Sequence, residues 1–90
     1  MSESRAHCVV YSDRALAITV LDPETDNMQS HAANFASAAG AVVRAAGRCA
    51  NDENETREHL AALLVAAEML GALSQVCSEE AARNTLRNAS

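Results

Sequence analysis

Residues 60–77, LAALLVAAEMLGALSQVC, form a long apolar stretch whose only ionisable groups are Glu68 and the thiol of Cys77. Apolar and small residues recur in it at helical spacing and form one core-facing stripe: Leu60, Leu63, Leu64, Ala67, Leu70, Gly71, Ser74 and Cys77. A second stripe lies beside the first: Val65, Met69, Leu73 and Val76. Because two adjacent apolar stripes exceed what one partner helix covers, the stretch predicts a buried helix at a subunit interface.

A second heptad pattern precedes this helix. Its members alternate in steps of four and three: Met28, Ala32, Phe35, Ala39, Val42, Ala46 and Cys49. The residues next to this pattern mostly have small side chains, which lets two helix axes approach closely. The pattern predicts a helix over residues 23–48. Its start has two candidates, either Asp22 followed by Pro23 at the first helical position, or Asp26 with Gln29 as a capping box.

A polar break, CANDEN at residues 49–54, separates the two patterns. Within and after it, Asp52 and Glu55 have the spacing of a capping box, so the second helix is expected over residues 53–77. Two helices of similar length joined by a short polar turn indicate an antiparallel helical hairpin. The fold class predicted is therefore mainly α.

The N-terminal residues 7–21 are typical of extended chain. Their first part, HCVVYS, is rich in β-formers, and their second part, ALAITVL, alternates so that three large residues share one face: Leu16, Ile18 and Val20. Two arrangements stay open. The two parts form a β-hairpin, although the intervening Asp13-Arg14 lacks glycine, or one strand pairs with its copy in a second subunit.

The last segment, residues 78–89, is expected to be a frayed helical tail. Beyond Cys77 its only large apolar residue is Leu86, while Glu79 and Arg83 are four apart in the order that favours a helix. The segment either continues the second helix or forms a short third one. No linker or repeat divides the chain, so residues 1–90 predict a single small domain.

The net charge of −5 argues against nucleic-acid binding, which requires basic patches. Residues 60–77 are slightly short for a membrane span and contain Glu68, so no membrane role is expected. The polar start, MSESRAHC, does not have the pattern of a signal peptide. These features predict a cytoplasmic protein.

The three cysteines are odd in number and widely spaced: Cys8, Cys49 and Cys77. They predict reduced, mostly buried thiols. In an antiparallel helical hairpin Cys49 lies at the turn and Cys77 roughly 36 Å along the second helix. That separation excludes a disulfide between them within one subunit.

The sequence offers no pattern for catalysis or for a bound ligand. His7, His31 and His59 are scattered without a second ligand at helical spacing, and there is no C-x-x-C pattern or glycine-rich phosphate loop. We expect no catalytic residue, no cofactor and no metal, and a protein that is not an enzyme. Glu68 is either a carboxylate that reaches water at the rim of the helical hairpin, or a buried contact that fixes the register of a subunit interface.

Three parts of the chain follow one another: ITVLDP at residues 18–23, an alanine-rich run at residues 31–46, and residues 60–76. In this order they resemble small proteobacterial helical-hairpin domains of unknown function, in which an extended segment precedes two alanine-rich helices and a polar turn. The resemblance covers about two thirds of the chain. It implies an architecture and no activity.

Twenty alanines and only two aromatic residues, Tyr11 and Phe35, predict a thin core. Such a core is often completed by a second subunit, so we expect a homodimer in which the helical hairpins form a four-helix bundle. The expected function is that of a small non-enzymatic, homo-oligomeric interaction or regulatory protein that acts by protein binding. The alternative is a chaperone-like or structural subunit of a larger assembly, whose apolar helix face covers a partner. The expected interface residues are Val65, Glu68, Met69, Leu73, Val76, Ile18 and Val20.

Overall fold

The computed structural model describes residues 4–89, and the side chains of residues 4–87. Two strands, β1 (Arg5–Tyr11) and β2 (Arg14–Val20), precede two helices, α1 (Met28–Ala50) and α2 (Arg57–Ala89). The prediction of a mainly helical chain with two long helices and an N-terminal β element is confirmed.

The two strands form an antiparallel β-hairpin, in a register that pairs Arg5 with Val20 and Tyr11 with Arg14. Of the two arrangements left open, the structure adopts the β-hairpin. Its turn is Ser12-Asp13, where both residues have positive φ, 48° and 63°. This left-handed pair matches the twist of the strands, and aspartate tolerates the conformation without glycine. The extended segment thus begins at Arg5, two residues before the predicted residue 7.

Helix α1 begins at Met28, and its N-cap is Asn27, whose side chain accepts a hydrogen bond from the Ser30 N–H at 3.1 Å. Both predicted starts, at Asp22 and at Asp26, are wrong. Asp22 has a φ of 56°, and its carbonyl accepts hydrogen bonds from the two N–H groups of residues 25 and 26, so it closes a turn instead. The Asp26 carboxylate accepts hydrogen bonds from the Asn27 N–H and the His31 ring, so it does not cap the helix.

Helix α2 begins at Arg57, after the predicted start at residue 53. The Thr56 hydroxyl oxygen accepts a hydrogen bond from the His59 N–H at 3.1 Å and caps the helix. The predicted capping box at Asp52 is wrong, because the Asp52 carboxylate accepts a hydrogen bond from the Asn54 N–H at 2.9 Å and closes a local turn. The connection between the helices therefore spans residues 51–56.

At its other end, α2 continues without a break to Ala89, so of the two alternatives for residues 78–89 the structure adopts the continuation of the second helix. This part is not peripheral. Within it, Glu80 is fully buried, and Ala81 and Asn84 are half-buried.

The helices pack antiparallel, as predicted. The Ser74 hydroxyl donates a hydrogen bond to the Ala32 carbonyl at 2.8 Å, and Met28, Ala32 and Cys77 form the central core cluster. All seven residues of the predicted α1 pattern are buried or half-buried, as are six residues of the predicted core-facing stripe of α2, whereas Leu64 and Gly71 of that stripe are exposed. All three cysteines are free, in agreement with the separation of Cys49 and Cys77 in an antiparallel helical hairpin.

The molecule is long and thin, with extents of 55 × 22 × 17 Å and a radius of gyration of 15.8 Å. A compact chain of this length has a radius of gyration of about 12 Å. The accessible surface is 6306 Å², whereas a globular monomer of this mass exposes roughly 5,000 Å². One chain thus leaves more surface uncovered than a compact domain does.

Candidate functional site

The structure divides the predicted interface residues into three groups. Val76 is buried, and the residues beside it in the same contact belong to β1, so it packs within the subunit. Val20 packs against the Met28–Ala32–Cys77 core. The single chain therefore covers Val76 and part of Val20, and their assignment to a subunit interface stays a prediction.

The second group lies where the β-hairpin meets α2. Met69, Leu73 and Ile18 line one small apolar cavity of about 140 Å³. The remaining residues around it come from both strands and from α2: Val9, Tyr11, Leu16 and Ala72. The structure thus brings the strand residues Leu16 and Ile18 against the second stripe of α2. Leu16 and Met69 remain 44% and 37% exposed, so the cavity opens at the surface.

The third group lies at or beyond the edge of the β-hairpin. Val65 is half-buried, and Glu68 is exposed beside a shallow groove next to the turn at Ser12 and Asp13. Glu68 is therefore exposed in the single chain, and its contact in a subunit interface stays a prediction.

The β-hairpin contacts α2 between residues 68 and 80 and leaves the other end of the helical hairpin without a third layer. We call residues 36–67 the uncovered end. Val43 and Leu64 are 54% and 48% exposed there. Within Arg57–Arg87 an 18-residue window is long and apolar enough, by length and composition, to cross a membrane, and 11% of its residues are buried in the chain. The apolar stretch that organises the sequence is therefore only partly used by the single subunit.

A buried carboxylate forms the main polar cluster. Glu80 is fully buried, its Oε1 lies 2.6 Å from Nε2 of His7 and 3.1 Å from Nε of Arg5, and both partners come from β1. Its Oε2 has no hydrogen-bond partner among the described residues. The cluster ties the first strand to the last third of α2.

Two further polar contacts join the last turns of α2 to the segment between β2 and α1. The Asn84 side-chain amide donates a hydrogen bond to the Pro23 carbonyl at 2.5 Å, and Arg87 pairs with Glu24. Sequence reasoning missed these roles. One signal was present, since Glu80 continues the stripe of Leu73 and Val76 at helical spacing and an acid on such a stripe requires a buried partner.

A third cluster lies at the turn between the helices. One ligand-type atom each of Cys49, Glu55 and His59 lies within 4.8 Å of the other two. Cys49 is buried in the last turn of α1, while Glu55 and His59 are exposed. Burial, followed by the negative charges of Glu55 and Asp52, raises the pKa of the Cys49 thiol. In the sequence His59 has no second ligand at helical spacing, because the three residues come from the end of α1, the connection and the start of α2.

Comparison of the chain with protein-family models, with curated proteins and with solved structures found no match. The resemblance to proteobacterial helical-hairpin domains rests on the sequence pattern and stays a prediction.

Proposed function

We propose that this chain is a non-enzymatic protein that acts by binding proteins, and that its first partner is a second copy of itself. The contact is made by the uncovered end of the helical hairpin, with Val43, Leu64 and Val65 at its centre and Met69 at its edge. The observation that carries the proposal is the exposure of large apolar side chains at this end, where Val43 and Leu64 are 54% and 48% exposed in the single chain.

The amount of uncovered surface suits a dimer. The chain exposes 6306 Å², roughly 1,300 Å² more than a globular monomer of its mass. A standard protein–protein interface buries about 800 Å² on each partner. An interface of standard size would therefore cover about three fifths of the excess surface of this chain.

The chemistry of the uncovered end favours a second copy over a charged partner. Residues 36–43 and 60–67 contain no ionisable side chain, so two copies can meet there without repulsion despite the net charge of −5. Two antiparallel helix pairs related by a twofold axis form a four-helix bundle, and twofold dimers are the commonest protein oligomers. The many alanines at this end allow the close helix approach that such a bundle needs.

Sedimentation velocity of the purified full chain, in the presence of a metal chelator, tests this proposal. We expect the wild-type protein to sediment as a dimer of about twice 9.5 kDa. Leu64→Glu places a charge on the uncovered end and should raise the dissociation constant at least about 10-fold, since an unpaired buried charge costs well over 1.4 kcal/mol.

Leu86→Glu is the matched control, because Leu86 is 73% exposed on the same helix but lies near its far end. It should leave the dimer intact, and circular dichroism should show that both variants fold. A wild-type monomer, or equal effects of the two substitutions, would contradict the proposal. So would a monomer that co-sediments with phosphatidylcholine vesicles, since the apolar stretch would then serve a membrane.

A further inference from the structure

The cluster of Cys49, Glu55 and His59 bridges the two helices where they are joined. Cys49 lies in the last turn of α1, Glu55 in the connection, and His59 in the first turn of α2. One sulfur, one carboxylate oxygen and one ring nitrogen lie within 4.8 Å of one another. Thiolate, imidazole and carboxylate are the three ligand types that proteins use for zinc.

We propose that Cys49, Glu55 and His59 bind a Zn²⁺ ion, with a water molecule as the fourth ligand. The mixture of a soft sulfur with nitrogen and oxygen selects a borderline metal such as zinc. Calcium and magnesium are bound by sets of oxygen ligands and do not favour a thiolate. On binding, the Zn–S bond replaces the S–H bond of Cys49, and the proton passes to solvent.

Only a small movement of the side chains is needed to bring the three ligand atoms to the separations found around zinc. Ligand atoms around a tetrahedral Zn²⁺ lie roughly 3.3–3.8 Å apart, because the metal–ligand bonds are about 2.0–2.3 Å long. The present separations are within 4.8 Å. Cys49 is held by burial in the helix, whereas the side chains of Glu55 and His59 are exposed and can rotate toward it.

The charge around the cluster favours a cation. The Glu55 carboxylate lies within 4.8 Å of the Cys49 sulfur, and no ion pair in the described part of the chain joins Glu55 or Asp52 to a basic residue. A divalent ion placed between sulfur and carboxylate offsets this negative charge. It also links the end of α1 to the start of α2 across the connection at residues 51–56, so its binding stabilises the folded helical hairpin.

Competition for Zn²⁺ against a chromophoric chelator, with the purified and reduced full chain, measures the affinity. We expect one equivalent to bind. His59→Gln and Glu55→Gln change exposed side chains and should preserve the fold, and each should weaken binding at least about 10-fold, since even residues that only orient zinc ligands contribute 10–100-fold. Added Co²⁺ should give a thiolate-to-metal absorption band that Cys49→Ser abolishes.

His31→Gln and Cys8→Ser are the matched controls, because both residues are of ligand type, accessible in part, and remote from the cluster in the fold. Neither should change the affinity for Zn²⁺ or the Co²⁺ band. Absence of stoichiometric Zn²⁺ binding by the wild-type chain would overturn the assignment. Equal weakening by His59→Gln and His31→Gln would also overturn it, since that result indicates scattered surface binding only. The outcome is independent of the dimer, which is measured in chelator.

Discussion

Glu80 joins parts of the chain that are far apart in sequence. Its carboxylate is fully buried and contacts His7 and Arg5, more than seventy positions earlier. A buried charge is tolerated when it is paired, and removal of one member leaves the others uncompensated. The last third of α2 thereby holds the β-hairpin on the helices.

Glu80→Ala should lower the free energy of unfolding by about 3 kcal/mol, because it leaves the Arg5 and His7 side chains without their shared carboxylate. Glu79→Ala is the matched control. The Glu79 side chain is 53% exposed and approaches His7 only at 3.8 Å, so its loss should cost less than about 1 kcal/mol. Urea unfolding measures both changes, and similar values for the two variants would refute the structural role of Glu80.

Asp26 provides a pH-dependent contribution. The hydrogen bond from the His31 ring, assisted by the Asn27 N–H and the His31 charge, lowers the pKa of Asp26 below its usual 3.8. Because the folded pKa lies below the unfolded one, the ionised carboxylate stabilises the fold above pH 3.8, and this contribution disappears as the pH falls through the folded pKa. Titration of the Asp26 carboxyl by NMR should show a rise of its pKa in His31→Ala. An unchanged pKa would mean that His31 is not the cause.

Helix boundaries in this chain depend on which of several capping residues is free to cap. Asp26 and Asp52 both have the sequence signature of an N-cap, yet each carboxylate accepts a hydrogen bond from a nearby turn or ring instead. Asn27 and Thr56 then take the capping positions. The competition is decided by local geometry that spacing alone does not contain.

Thr56→Ala should therefore destabilise the chain by about 1 kcal/mol through loss of the cap of α2. Asp52→Ala removes only the turn contact to Asn54 and should cost less. Thermal unfolding in the presence of a chelator compares the two without any contribution from a metal. A larger loss in Asp52→Ala than in Thr56→Ala would favour the helix start predicted from the sequence.

The helical hairpin was predictable because its stabilising contacts repeat. Heptad spacing in both helices and a polar break between them define the antiparallel pair, and the Ser74–Ala32 hydrogen bond lies on the predicted seam. The C-terminal part of α2 was not predictable in the same way. Its contacts are single polar pairs, such as Glu80 with His7 and Asn84 with Pro23, which have no period. The Cys49–Glu55–His59 cluster was hidden for a similar reason, since its members meet only after the turn has formed.

The whole molecule is a helical hairpin with a β-hairpin at one end and an uncovered apolar surface at the other. The β-hairpin takes up part of the second stripe of α2, including Val76, and so reduces the interface expected from the sequence. Of the second stripe, Met69 stays exposed and Val65 half-buried, and the uncovered end adds the exposed side chains of Val43 and Leu64. The central claim of the account is that a second copy of the chain covers this surface.

An isotope-filtered NOE experiment on a mixture of labelled and unlabelled chains tests that claim most directly. It detects only protons of one chain that lie within about 5 Å of protons of the other, a distance set by the rapid decay of the effect. We predict intermolecular NOEs from the methyl groups of Leu64, Val65 and Val43. Intermolecular NOEs confined to Leu86 or Val10, or their absence at concentrations where the chain is folded, would contradict the account.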